Sequence, residues 1–81
     1  MYNEMINSRV TVMVSSRGEN VLEYVGVLIK ENDESIVLAN VDISYLILSI
    51  QKGLFGNGLN VYKQGVDKVV INKRYIISCN N

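Results

Sequence analysis

The stretch VLEYVGVLIK, residues 21–30, is apolar on both of its alternating faces. One face of a strand there would carry Val25, Val27 and Ile29, and the other Leu22, Tyr24 and Leu28. A strand with one solvent-exposed face carries polar residues on that face, so this strand is predicted to be covered on both sides. Gly26, in the middle, is where a bend or a close backbone approach is expected. Strong bending of a central strand is how a small sheet curls into a barrel.

Strand signals continue on both sides of this stretch. Val10, Val12 and Val14 alternate with more polar residues and predict a strand before it. The later strands are predicted at 35–50 (with a break near Asn40 or Asp42 as an alternative), 59–64, 68–71 and 74–79. Turns are predicted around Gly18, over 30–35, at the glycine-rich tip 51–58 and at 65–67.

The first residues predict one or two helical turns, because Tyr2, Met5 and Ile6 form an apolar stripe at helical spacing. Short polar connections between the strands favour antiparallel pairing. The chain is therefore predicted to be all-β: one domain over residues 1–81, with a short N-terminal helix and a small, strongly bent, five-stranded antiparallel barrel.

Composition limits the chemistry that the chain can carry. There is one cysteine, Cys79, and no histidine, which excludes an internal disulfide and a zinc site built from Cys and His within one chain. No cofactor or metal is expected. Cys79 continues an apolar alternation and is predicted to be a packed thiol. Because 48% of so short a chain is hydrophobic, oligomer contacts are expected to add stability.

Charge and hydropathy limit which classes of partner the protein is expected to bind. The formal net charge is zero, so no strong global positive field attracts nucleic acid or an anionic membrane, although a local basic patch is still allowed. The start of the chain has no signal-peptide pattern. The longest apolar run, 43–50, is far shorter than the roughly 20 residues that span a bilayer. We expect a soluble, cytoplasmic protein without a membrane partner.

No enzyme site is expected. The carboxylates lie mostly in predicted turns, with no histidine and no nucleophile beside a base. The glycines of GLFGNG, residues 53–58, follow a strand but open no helix, so they predict a turn and not a dinucleotide-binding loop.

A candidate binding site lies in NVYKQGVDKVV, residues 60–70, which reads as strand, break, strand. Lys63 can meet a phosphate and Gln64 a base edge, or both are solvated side chains beside a turn. Asp33, in the acidic turn KENDES, is expected to accept backbone N–H bonds and fix that turn, with direct ligand contact as the alternative.

These patterns resemble the Sm-like family, in particular its bacterial Hfq branch. The second Hfq motif is a strand ending in Tyr-Lys-His-Ala, a break, and a strand with Val-Val. The matching residues here are 62–65 (Tyr-Lys-Gln-Gly) and 69–70 (Val-Val). The first Sm motif is matched by Val10 to Val14, Gly18, Gly26-Val27-Leu28, Asp33 and Ile36-Val37-Leu38.

The resemblance implies an Sm-like (SH3-like) barrel and a cyclic homo-oligomer of about five to seven subunits, joined fourth strand to fifth strand. It also implies single-stranded RNA held at the pore-side turns by Lys63, Gln64, Asp33 and Ser35. Much of the uridine pocket is replaced, since Ser35 stands where an aromatic residue often stacks a base, Val37 where an Asn reads it, and Gln64 where Hfq has histidine. The alternative is a structural or assembly protein that forms the same ring without nucleic acid.

Overall fold

The computed structural model describes residues 2–15, 21–49 and 58–81, with side chains over 2–15, 21–45 and 63–81. Its elements are a 3-10 turn at Asn3–Met5, strands β1 Arg9–Ser15, β2 Val21–Glu31, β3 Ser35–Ser49 and β4 Gly58–Asn72, a second 3-10 turn at Lys73–Tyr75, and strand β5 Ile76–Asn80. All pairings are antiparallel, in one five-stranded sheet of order β4-β3-β2-β1-β5. The all-β, five-stranded antiparallel prediction is confirmed.

Strand β1 has the alternation that its sequence predicts. Val10, Val12 and Val14 are buried, while the residues between them are half-buried. β-Branched side chains on one pleat face favour this strand, because they pack well on a half-covered sheet surface. β1 lies between β2 and β5, so its buried face contributes to the centre of the core.

Gly26 lies at a close backbone approach between β2 and β3. A Cβ placed on it would lie 2.9 Å from the Ala39 carbonyl oxygen and 3.0 Å from Val41 Cγ2. The β2–β3 register shifts beside it, between Val25 and Val27. Only glycine allows the two strands to lie this close at an irregular position, which confirms the close backbone approach expected at Gly26.

The core consists of aliphatic side chains from four strands. Nine are buried: Val10, Val12, Val14, Leu28, Ile36, Leu38, Val41, Ile43 and Ile71. Half-buried residues pack around them, among them Tyr2, Met5 and Ile6 from the start of the chain and Cys79 from β5. No buried polar or charged residue lies among the described positions, so hydrophobic burial is the main force holding the sheet.

The predicted N-terminal helix is shorter than expected. It is only the three-residue 3-10 turn Asn3–Met5. Asn7 has a φ of 71°, which ends the helical path, and its N–H donates to the Leu28 carbonyl over 2.7 Å. The Leu28 N–H donates in turn to the Ser8 carbonyl over 3.0 Å. Pairing with β2 therefore replaces a short helix that is marginal by itself.

The break predicted at 65–67 is wrong. Strand β4 runs unbroken from Gly58 to Asn72 and keeps one register with β3, with Gly65 opposite Asp42 and Val66 opposite Val41. β3 is equally long and offers a full-length partner, and nothing in this segment prevents pairing, since the chain has no proline. The predicted strands at 59–64 and 68–71 are thus one strand, and the chain turns later, at Lys73–Tyr75.

Strand β3 likewise continues past the alternative break, with a left-handed φ of 51° at Asn40. The turn predicted at Gly18 and the glycine-rich tip at 51–57 lie outside the described residues. Over 2–15, 21–49 and 58–81, no helix has the length and apolar character needed to cross a membrane.

Candidate nucleic-acid interface

The four residues predicted to bind nucleic acid fall into two separate groups. Lys63 and Gln64 are exposed on β4, opposite Ser44 and Ile43 of β3. Asp33 and Ser35 lie at the turn between β2 and β3. Ser35 and Ser44 are nine residues apart on one strand, about 30 Å of strand contour. The structure therefore does not bring Lys63 and Gln64 together with Asp33 and Ser35.

The β2–β3 turn is organised by Asn32. Its Oδ1 accepts hydrogen bonds from the Glu34 N–H at 3.0 Å, the Ser35 N–H at 2.8 Å and the Ser35 hydroxyl at 3.1 Å. The structural role expected of Asp33 thus belongs to the preceding residue, because an acceptor at the first turn position reaches the N–H groups two and three residues on. Asp33 is exposed and free to face a ligand, whereas the Ser35 hydroxyl is already engaged.

The 3-10 turn Lys73–Tyr75 lies against the β2–β3 turn. The Lys73 N–H donates to the Glu34 carbonyl over 2.8 Å, and the Arg74 N–H donates to Asn72 Oδ1 over 3.0 Å. On its other side, the Ser15 hydroxyl donates to the Tyr75 carbonyl over 3.4 Å. These bonds hold the polar turn Lys73–Tyr75 between the β2–β3 turn and the last residue of β1.

Two open pockets form where these turns meet. The first, which we call the turn pocket, has a volume of about 400 Å³ and is lined by Asp33, Glu34, Asn72, Lys73 and Arg74. The second, of about 300 Å³, is lined by Asn3, Glu31, Asn32, Asp33 and Lys73. Asp33 and Lys73 line both pockets, so they stand at the boundary between them.

Lys73 is already paired within the chain. Its Nζ lies 2.6 Å from Glu31 Oε2, and the two side chains are 26% and 8% exposed. The Lys73 Nζ also lies 5.5 Å from the centre of the Tyr2 ring, a cation–π distance. The hydrogen bond from Lys73 holds the pKa of the Glu31 carboxyl below its ordinary value, although burial acts in the opposite direction. A phosphate must compete with Glu31 for this ammonium group.

Arg74 is the exposed cation of the turn pocket. Its guanidinium lies 5.5 Å from the ring centre of Tyr75, which is itself 49% exposed. An exposed arginine beside an exposed aromatic ring is a suitable surface for a nucleotide, because one supplies charge and the other a stacking face.

The sequence reasoning missed Asn72, Lys73 and Arg74. The signal was present in VVINKRYII, residues 69–77, where two consecutive basic residues interrupt two apolar runs. Gly65 gave a stronger local turn signal, so the break was predicted eight residues before the observed turn at Lys73–Tyr75.

The described residues contain no group of three or more Asp, Glu, Cys or His side chains that would suit a metal ion. Cys79 packs against the core, and burial raises the pKa of its thiol. Burial, with a smaller effect of Tyr45, also raises the pKa of Tyr24. These shifts come from packing and identify no acid or base at a pocket.

Comparison with known proteins gives no family. No protein-family model matches the sequence, and no curated protein matches it significantly. The geometry of the sheet and of its two turns is therefore the basis for a functional proposal.

Proposed function

We propose that this protein is an Sm-like, ring-forming, non-enzymatic module that holds single-stranded RNA at its turn pocket. The observation that carries the proposal is the seating of Lys73–Tyr75 against the β2–β3 turn, which places Asp33, Asn72 and Arg74 around one pocket. In the family that the sequence resembles, RNA lies at the turns between these same pairs of strands.

Barrel closure is supported by the connection between the edge strands. β4 and β5 lie at opposite edges of the sheet, yet only Lys73–Tyr75 separates them in the chain. The edges of a flat five-stranded sheet are about 19 Å apart. Three residues of 3-10 helix advance about 6 Å. A sheet that curls until its edges approach resolves this mismatch, and the register shift beside Gly26 lies in the central strand, where such a curl is expected.

Ring formation is supported by the edges themselves. β4 and β5 each have one side without a partner in the described chain. Each also carries a large exposed apolar residue, Val70 at 66% and Ile77 at 59%. An open edge with exposed apolar side chains favours pairing with another chain. Contact between β4 of one copy and β5 of the next is head-to-tail, and it closes into a ring of about five to seven subunits if the rotation fits.

The RNA contacts are proposed at two places. In the turn pocket, Arg74 takes the place that the resemblance gave to Lys63, since it lies in the break between the last two strands. Lys63 and Gln64 remain proposed contacts as exposed residues of β4, although as neighbours in a strand they point to opposite faces of the sheet. Repetition of these groups around a ring multiplies a weak single contact.

Native mass spectrometry and fluorescence anisotropy with short U-rich and A-rich RNAs test this proposal. We expect a closed oligomer and binding that weakens with salt, as phosphate contacts require. Arg74→Ala is expected to weaken binding and to lower the salt slope by about one, and Lys63→Ala to weaken it less. A monomer at micromolar concentration would contradict the ring. If Arg74→Ala and Lys63→Ala bind RNA with equal affinity, the assignment of the main contact to Arg74 in the turn pocket is contradicted.

A ring without nucleic acid is the second candidate, and one observation favours it. Glu31 neutralises Lys73, and the exposed carboxylates of Asp33 and Glu34 line the same pocket as Arg74, so the net charge around the pocket does not attract phosphate. A stable oligomer that binds no RNA even at low salt would support this assembly role instead.

A further inference from the structure

We propose that the turn pocket selects guanine among the bases of a single strand. This inference rests on the proposed function and specifies its ligand. The pocket combines an unpaired carboxylate, an oriented amide and an arginine, which together complement guanine and none of the other three bases as well.

The carboxylate is that of Asp33. It is exposed, lines both pockets and takes part in no ion pair among residues 2–15, 21–45 and 63–81. Its main-chain position is fixed, because Asn32 ties the turn around it. A carboxylate accepts two parallel N–H bonds. Guanine presents two adjacent donors, N1–H and the N2 amino group, on its Watson–Crick edge.

The amide is that of Asn72. Its Oδ1 accepts the Arg74 N–H at 3.0 Å, which leaves the Nδ2 amino group as the free end of the side chain. That group is a donor only. It complements O6 of guanine, which lies beside N1–H, while Asp33 takes the two donors.

The other bases place lone pairs where guanine places hydrogens. Adenine has one amino donor next to the N1 acceptor, and cytosine has one next to N3. Uracil has a single N3–H between two carbonyl oxygens. Each of them sets an acceptor against the Asp33 carboxylate, and this unpaired contact lowers affinity.

In this arrangement the Arg74 guanidinium binds a phosphate group of the RNA. Lys73 is occupied by Glu31 at 2.6 Å, so Arg74 is the pocket cation with no carboxylate partner among the described side chains. The exposed ring of Tyr75 lies next to it and offers a stacking face to a neighbouring base.

The test uses the full chain and labelled six-nucleotide RNAs of alternating sequence, AGAGAG, AAAAAA, AUAUAU, ACACAC and AIAIAI. Inosine (I) keeps N1–H and O6 but lacks the N2 amino group. Anisotropy at one fixed low salt concentration is expected to give AGAGAG roughly tenfold tighter binding than AAAAAA, with AIAIAI between them.

Asp33→Asn is expected to remove the preference for AGAGAG without weakening AAAAAA, because the variant loses one acceptor and a charge that repels phosphate. Asp67→Asn, at an exposed carboxylate of β4 that lines neither of the two pockets, is the matched control and keeps the preference. Both residues are exposed, and circular dichroism checks that both variants fold.

The outcomes separate the two proposals. Equal binding of AGAGAG and AAAAAA by the wild type would overturn the guanine inference while RNA binding stands. Retention of the preference in Asp33→Asn, or its loss in both Asp33→Asn and Asp67→Asn, would overturn the assignment of Asp33. No binding of any of the five RNAs would overturn the proposed function, and this inference with it.

Discussion

Glu31 and Lys73 form an ion pair 2.6 Å long that joins the end of β2 to the turn before β5, 42 residues further along the chain. The second carboxylate oxygen, Glu31 Oε1, is buried and has no hydrogen-bond partner among the side chains of 2–15, 21–45 and 63–81 and the described backbone. The pair therefore depends on one oxygen of a nearly covered carboxylate. It fixes the turn that lines both pockets, so it connects stability and binding.

The first prediction concerns acid. Because the pKa of Glu31 is lowered in the folded state, its ionised form stabilises the fold above its ordinary pKa of 4.5, and this stability is lost as pH falls through the lower folded value. Glu31→Gln is expected to lower the melting temperature at pH 7, and this difference should shrink as pH falls below 4.5 and through the lower folded value. Thermal denaturation from pH 7 to pH 3 measures it.

Asp42→Asn is the control for that experiment. Asp42 lies 3.7 Å from Arg9, but both side chains are more than half exposed, so water screens the pair. Its substitution is expected to change the melting temperature little at any pH. An effect as large as that of Glu31→Gln at neutral pH would mean that burial does not distinguish the two pairs.

The second prediction concerns Lys73 itself. Glu31→Gln removes the counter-charge of this ammonium group, so RNA binding is expected to strengthen and its salt dependence to steepen. Anisotropy well below the melting temperature measures both. The double variant Glu31→Gln/Lys73→Gln should lose the tighter RNA binding expected of Glu31→Gln. If it keeps the tighter binding, the released lysine is not its cause.

The third prediction concerns the close backbone approach at Gly26. Gly26→Ala is expected to destabilise the fold by about 1–3 kcal/mol, because the added methyl group meets the Ala39 carbonyl at 2.9 Å. Gly65→Ala is the matched control, since its Cβ meets only Asp42 Oδ1, at 3.8 Å. The control should be neutral or stabilising by up to about 1 kcal/mol. Urea denaturation measures the free energy of unfolding of both variants, and equal values would argue against a tight approach at Gly26.

The fourth prediction concerns the β2–β3 turn. Asn32→Ala removes an acceptor of three hydrogen bonds and is expected to lower the free energy of unfolding by about 1 kcal/mol. Asn32→Asp retains the acceptor and should restore most of it. Asp33→Ala is expected to stay within about 0.5 kcal/mol of the wild type. The opposite order of Asn32→Ala and Asp33→Ala would return the turn-fixing role to Asp33.

The fifth prediction concerns the sheet edges. If the proposed ring forms through these edges, Val70→Lys and Ile77→Lys are each expected to reduce it to smaller species, because a charge replaces an exposed apolar residue on an edge strand. Ile29→Lys, on the central strand β2, is the control and should keep the native mass. Sedimentation together with circular dichroism separates dissociation from unfolding. An unchanged mass in both edge variants would place the subunit contact elsewhere.

Local patterns predicted the parts of this fold that local forces decide. The alternation of Val10, Val12 and Val14 predicted β1, and Gly26 in the apolar run of β2 predicted the close backbone approach that is found there. The break placed at Gly65 failed because β3 pairs with that segment along its full length, and a propensity argument does not include a distant partner.

The candidate site was predicted in part for the same reason. KENDES gave the β2–β3 turn, but the residue that fixes it is Asn32 and not Asp33, a difference of one position that only hydrogen-bond geometry decides. Glu31 and Lys73 are distant in sequence, and no spacing rule connects them. Tertiary pairing brought Lys73 and Arg74 to Asp33, and it left Lys63 and Gln64 on another part of β4.

The pairing of β1 with β5 joins Thr11 to Asn80 and Val12 to Cys79. The first strand therefore acquires one of its neighbours only when nearly the whole described chain has been synthesised. Such distant partners slow the search for the native state, and folding in milliseconds to seconds is typical of sheets of this kind. Until the last strand arrives, β1 exposes an open side to any other strand nearby, so synthesis is the period in which this protein is most vulnerable to misassembly.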